Sequence, residues 1–431
     1  MRAGEFFGAL RERQFRLLWL GQATSTLGDG LVPVAVAFAV INTLDLGPTA
    51  LGIVLAAEAL PLVAFVLAGG VWADRLPRQM VMLASDVVRG AVQATLAVLL
   101  LSGAAELWHL VVLLAIYGTA QAFFQPAATG LVPETISPGR LQQANALLGL
   151  SRSLAFVVGP AVAGVIAAVT NPGIVFALDA VTFSVSAVSL ALLRLPRRRR
   201  PGERQSFFAD LKGGWHELVS HTWLWVIVAW ASAFLCVVVA PYMTLGPVIA
   251  KESLGGPAAW GMIAAGCCGR CPLLGGLIVL RWKPLRPMLV CCVAVLLIAP
   301  AMALLALRAP APLVAALNAV GGGGMGMFGA LWQTTLQQHV RPDALSRVSA
   351  WDWMGSYAFL PLGLVLAGPV SAVIGVSATL WISVAFIVLS TIAVLLVPDV
   401  RNLRRRDEPE PKPEEAFAKL PGEPAEAFHG S

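Results

Sequence analysis

Two carboxylates interrupt the first apolar runs of the chain, Asp29 in STLGDGLVPVAVAF (25–38) and Glu58 in AAEALP (56–61). An ionisable group deep in a membrane helix costs about 2.5–3.5 kcal/mol on insertion scales, so each implies a partner or a function. Asp29 is flanked by Gly28 and Gly30 and followed by Pro33, where a helix can bend and hydrate. Two readings stay open for it: coupling to a proton or cation, or a carboxylate hydrogen-bonded to backbone freed by the glycines. Glu58, beside Pro61, can carry a proton or meet a cationic substrate. Asp86 and Arg89 are spaced i, i+3 and share a helix face. They read as a structural pair supporting the hinge just before them. Arg152 is expected to neutralise a carboxylate or to help in a gate. Asp179, Arg270 and Asp352 also fall in apolar runs but receive no definite role. Phe38, Phe123, Phe124, Gln125, Gln333 and Trp353 are candidate walls of a cavity.

Nothing in the chain assembles a nucleophile, a base and an orienting group, so an enzyme is not expected, nor is a cofactor. Cys268 and Cys271 form a lone Cys-x-x-Cys in an apolar run without His or carboxylate neighbours, and no metal site follows from it. GGGGMGMFG (321–329) has no Lys-Ser or Lys-Thr after it and reads as close helix packing, not a phosphate loop.

The elements that must position these groups are membrane helices. Of 431 residues, 58% are hydrophobic and 13% charged, with a mean hydropathy of +0.77. A soluble domain carries about a quarter of its residues as charges. Lipid is therefore the expected solvent, and continuous apolar runs favour helices over a barrel. With about 20 residues needed to cross, twelve runs qualify: 15–44, 49–73, 80–102, 107–131, 141–170, 173–195, 222–250, 257–280, 286–307, 311–336, 345–374 and 376–398. Alternate connections hold nearly all the arginines, including Arg75, Arg78, Arg140 and the run Arg197–Arg200, whereas the others hold only Lys251 and Arg308. By the positive-inside rule both termini are expected in the cytoplasm of a multi-pass cell-membrane protein. The net charge of +6 sits in these connections, which argues for anionic lipid and against a nucleic-acid partner.

The long basic connection after span six divides the chain into a six-helix bundle at 1–195, a cytoplasmic linker at 196–218 and a second bundle at 219–399. The tail at 400–431 is rich in Pro and Glu and is expected to be disordered. At an offset of 204 residues, Pro138, Leu141, Ala146, Gly159 and Gly164 meet Pro342, Leu345, Ala350, Gly363 and Gly368, a weak sign of duplication. Parallel six-span repeats around a midplane site are a transporter architecture.

Between spans two and three stands GGVWADRLPRQ (69–79). It resembles the signature of the major facilitator superfamily through Gly70, Asp74, Arg75 and Arg78, with Pro77 and Gln79 replacing the usual Gly and Lys. The resemblance implies twelve helices in two bundles, with Asp74 docking on the start of span eleven near Asp343–Arg347 as a latch on one conformational state. A carboxylate is suited to the N–H groups at a helix start. A turn fixed only by inside charge would explain Arg75 and Arg78 but not Asp74. The stretch 122–166 further resembles the macrolide-efflux and enterobactin-exporter branch, through Phe124, Pro126, Ala127; Val132, Pro133, Glu134; Leu141, Ala144, Asn145, Ala146; and Gly159, Pro160. Gly159, Pro160 and Gly164 also resemble the span-five antiporter motif, whereas the span-four arginine of many drug–proton antiporters is missing. The resemblance implies a monomeric proton-driven exporter of amphipathic small molecules, such as a drug, macrolide-like compound or siderophore. A facilitator or importer of a metabolite such as a sugar is the alternative on the same fold.

Overall fold

The structure is a computed structural model that describes residues 8–195, 207–268, 284–341 and 344–405, with residues 275, 278–279 and 282 singly. It is helical throughout these residues. The first six long helices are α1 (Arg13–Phe38), α2 (Pro48–Arg75), α3 (Arg78–Ser102), α4 (Leu107–Thr135), α5 (Leu141–Val169) and α6 (Gly173–Ala191). A helix α7 (Phe207–Ser220) follows, within the segment expected as a linker. Its Trp215 lies against Trp351, ring centroids 4.9 Å apart, so this part of the connection is docked and not merely solvated. The second set comprises α8 (Thr222–Leu254), α9 (Pro257–Cys268), α10 (Pro287–Ala306), α11 (Ala311–His339), α12 (Leu345–Tyr357), α13 (Leu360–Ile374) and α14 (Val376–Leu396).

Eleven helical spans among the described residues are long and apolar enough to cross a membrane, α12 and α13 together forming one. The twelfth expected run, 257–280, is described as α9 up to Cys268; Arg270, Cys271 and most of the remainder lie outside the described residues, as does most of the tail at 400–431.

Helices are what lipid permits, because each backbone polar group must be satisfied within the segment. Where a proline breaks that rule, a neighbour compensates. Pro241 removes the N–H that would meet the Val237 carbonyl; the helix widens into a π turn over Leu235–Val239. The Ser383 hydroxyl then donates to the freed Val237 oxygen at 2.6 Å.

The two sets of helices pack alike. In the first, α1 packs on α5 and α6, α2 on α4, and α3 on α4 and α6; in the second, α8 packs on α13, α9 and α10 on α11, and α10 on α14. The largest contacts joining the sets are α5 with α9 and α2 with α13. The repeated glycines explain these contacts. A Cβ at Gly159 would run into the Gly30 backbone of α1, and one at Gly363 into Cys236 and Ala240 of α8. Likewise Gly164 lies against Pro257 and Gly261 of α9, and Gly368 against Thr49 of α2. The four aligned glycines thus make two pairs of matching helix crossings. The run at 321–329 is packing as expected: side chains at Gly321 and Gly324 would collide with Ile298 and Ala294 of α10.

Candidate functional site

Four helices of the first set converge on one buried cluster. Arg89 on α3 is 1% exposed; its Nη2 donates to Asp86 Oδ1 at 2.5 Å and its Nη1 lies 3.8 Å from Asp29 Oδ2 on α1. Tyr117 on α4 donates to the other Asp29 oxygen at 2.5 Å. Ser186 on α6 donates to Asp86 Oδ2 at 2.6 Å. The guanidinium carbon lies over the rings of Phe124 and Phe183, 4.2 and 4.5 Å from their centroids. A guanidinium keeps its proton at any physiological pH, and its planar fork suits two carboxylates at once. The Asp86–Arg89 pair therefore does more than brace a hinge; it ties α3 to α1.

The two carboxylates differ in access. Asp86 is sealed, whereas the Asp29 side chain is 29% exposed. The backbone reading of Asp29 gives way to side-chain partners, because the flanking glycines serve packing: a Cβ at Gly28 would strike Asp179 and Thr182 on α6, and one at Gly30 the Ala155 carbonyl on α5. Glu58 is half-buried on α2 and close enough for its charge to repel that of Asp29. Asp179 joins from α6, accepting from Gln93 at 2.7 Å and from Thr182 at 3.0 Å. Its burial gives it a place in this cluster that sequence reading left unassigned; the only available signal was a carboxylate in an apolar run.

Several expected assignments change. Phe38 is fully buried in the hydrophobic core and is not among the residues lining the cavity described below. Phe124 covers Arg89 instead. Phe123 is half-buried and Gln125 exposed. Arg152 is exposed and forms no ion pair with a described carboxylate. At the turn between α2 and α3, the side chains of Asp74 and Arg75, the neighbourhood of Gly70, and the proposed dock at Asp343 lie outside the described residues. Arg78 Nη1 donates to the Gly130 carbonyl at 2.7 Å and pairs with Glu134 at 2.9 Å. Gln79, which replaces the usual Lys, donates to the Leu190 and Leu193 carbonyls at the end of α6. It satisfies acceptors that a helix end leaves open.

The second set holds no such charge cluster among the described residues but encloses a cavity of about 250 Å³. Gln333 and Trp353 line it, together with Trp230, Phe234, Phe328 and Trp332. Asp352 sits in its wall and accepts from the Trp332 indole at 2.9 Å. The helix is interrupted between α12 and α13 by a turn at Ala358 and Phe359, just beyond the cavity residue Tyr357. Asp352 was legible only as another carboxylate in an apolar run.

Comparison with known proteins decides the family. The model for the Major Facilitator Superfamily matches residues 18–358. The chain belongs to the Major Facilitator Superfamily. It is thus a multi-pass membrane protein of a transporter family. The multidrug efflux pump Tap of Mycolicibacterium fortuitum is 27% identical over 414 residues, covering 91% of this chain and 98% of Tap. Macrolide efflux protein A of Streptococcus pyogenes is 21% identical over 402 residues, covering 90% and 97%. Among solved structures, a bacterial homologue of the human lysosomal transporter Spinster superposes with a TM-score of 0.70 at 15% identity, over 93% of this chain and all of that one. The nucleoside transporter NupG gives 0.68 at 14% identity, over 89% and 98%. These likenesses are of fold.

Proposed function

We propose that the chain exports amphipathic small molecules across the cell membrane by proton antiport with alternating access. Export is supported by similarity to efflux pumps along nearly the full length of both partners. The basic connections orient both termini to the cytoplasm in this reading.

The observation that carries the coupling is the unequal access of two carboxylates sharing one guanidinium. Asp29, Asp86 and Arg89 together carry one net negative charge when both acids are ionised. One proton makes the set neutral, and neutrality is favoured away from water. Asp29 is the group a proton can reach, because Asp86 is sealed and already doubly bonded. Protonation of Asp29 frees Arg89 to pair wholly with Asp86 and loosens α1 from α3. Loss of that proton restores the tie. Substrate binding between the two sets then favours one state and Asp29 protonation the other. The repeat places Arg152 at the position of Ser356, which lines the second-set cavity. On that basis Arg152 faces the passage between the sets, where its exposed charge serves a gate.

An inward proton supplies about 2.3 kcal/mol per 100 mV of membrane potential, in addition to the pH difference. The test is transport into proteoliposomes with an imposed pH gradient. Substrate should accumulate against its own gradient only while the pH difference lasts; movement indifferent to the imposed pH difference rejects the antiport.

A further inference from the structure

Among the described residues, the lining of the second-set cavity combines a carboxylate with an aromatic wall and holds no cationic side chain. Asp352 takes hydrogen bonds from the Trp332 indole and the Ser356 hydroxyl, and among the described residues no Lys, Arg or His pairs with it. Asp86, by contrast, has Arg89 as its counter-ion. Burying an ionised carboxylate is costly unless it is paired, and among the described residues half-buried Asp352 has only these neutral donors. Around it, Trp353 stacks on Tyr357 with centroids 4.6 Å apart, and Phe328 stacks on Trp332 at 6.2 Å. Trp230 closes the wall, 6.3 Å from Phe328. Aromatic faces attract cations, most strongly where water is excluded. Met325, also in the wall, is a flexible filler that adapts to varied shapes.

We propose that this cavity is a subsite for organic cations, in which Asp352 is the counter-ion to an alkylated ammonium and the aromatic wall holds the adjoining ring. The proposal rests on the export reading above and narrows it to a substrate class. At about 250 Å³, the cavity lies below the roughly 300–1,000 Å³ of sites for whole drug-sized ligands. It therefore takes a cationic head and one ring, leaving the rest of an amphipathic molecule in the passage between the two sets. Asp352 acts as a specificity determinant: neutral compounds are bound by the walls alone.

The test is calorimetric binding to the purified full-length protein in detergent, using benzyltrimethylammonium and its uncharged isostere neopentylbenzene. Asp352→Asn keeps an oxygen acceptor for Trp332 but removes the charge. It should weaken the ammonium about ten- to a hundredfold, the range of a charge-assisted contact, and leave the isostere within about twofold of wild type. Asp352→Glu keeps the charge and should hold the ammonium within about threefold of wild type. Equal ammonium affinity in wild type and Asp352→Asn overturns the proposal. So does an equal loss in the Asn and Glu variants, which marks a structural role. Binding is read without any gradient, so a failed antiport leaves this result standing, and a failed cation site leaves gradient-driven export of neutral compounds intact.

Discussion

The two halves of the molecule share a packing scheme but not an interior. Matching glycines make matching crossings: Gly159 of α5 packs on α1 as Gly363 of α13 packs on α8, and Gly164 of α5 packs on α9 as Gly368 of α13 packs on α2. Inside that common frame the first set brings Asp29 and Asp86 to Arg89 and buries Asp179 against Gln93 and Thr182, whereas the second surrounds Asp352 with tryptophans. At the offset that aligns α5 with α12, Asp352 falls on Leu148, and Leu148 packs into a hydrophobic cluster. The difference teaches that helix crossings constrain a few small residues only. The remaining positions are free to diverge, and here one interior is charged and the other aromatic.

The sharpest way to break this contrast is to empty the first interior of its cation. Arg89→Leu leaves Asp86 sealed without a counter-ion, a loss of about 3–5 kcal/mol for a broken buried pair. We expect the largest fall in melting temperature, followed by size-exclusion fluorescence, and no gradient-driven transport. Asp29→Asn is milder because Asp29 is partly exposed and Arg89 keeps Asp86. It should fold, lose transport driven by a pH gradient, and keep exchange of labelled for unlabelled substrate. Full gradient-driven transport by Asp29→Asn would remove Asp29 from the coupling step and leave Glu58 and Asp179 to be tested in its place.

Much of this frame was legible in the residues. Long apolar runs fixed the spans because lipid leaves the backbone no other option, and the aligned glycines were visible before their contacts were. The pairing of Asp29 with Arg89 was not, because it depends on how α1 and α3 are rotated about their axes. Membrane helices that are apolar all round show no polar stripe from which that rotation can be read. The same gap accounts for Phe38 and Phe124, whose rings entered the core and the Arg89 cover instead of a cavity. Gln333 and Trp353 did reach a cavity, yet nothing local distinguished them. Asp352 gains meaning only from Trp230 on α8 and from Phe328 and Trp332 on α11, which folding alone brings to it.

The shared frame can be tested by its glycines. Gly164→Leu and Gly368→Leu push the two inter-set crossings apart at equivalent places, where the neighbours are backbone atoms and cannot yield. Overpacking costs about 1–3 kcal/mol, and the two variants should lose similar amounts of thermal stability and of transport. Gly139→Leu, with nothing within 4 Å of its added Cβ, is the control. A large effect at one crossing and none at the other would mean that the two halves are alike in outline but not in mechanics.

The smallest effect is expected outside the membrane spans, where the first set carries a polar clasp. Glu12 accepts from the Ser137 hydroxyl at 2.6 Å and from its backbone N–H at 2.9 Å, and it pairs with Arg140 at 3.2 Å. Burial pushes the Glu12 carboxyl up, but the Ser137 hydrogen bonds and the Arg140 charge outweigh it and hold the group below its ordinary 4.5. A carboxyl depressed on folding contributes stability above its unfolded value and loses it as pH falls through the folded one. The clasp should therefore hold at neutral pH and weaken only below about pH 4.5, the ordinary value named for this group. Because the pair is largely solvated, Glu12→Gln should cost no more than about 1 kcal/mol at pH 7, and wild type and variant should converge in melting temperature as the pH drops below that value. A gap between them that stays constant down to pH 3 would assign the clasp to hydrogen bonding alone, with no share for the Glu12 charge.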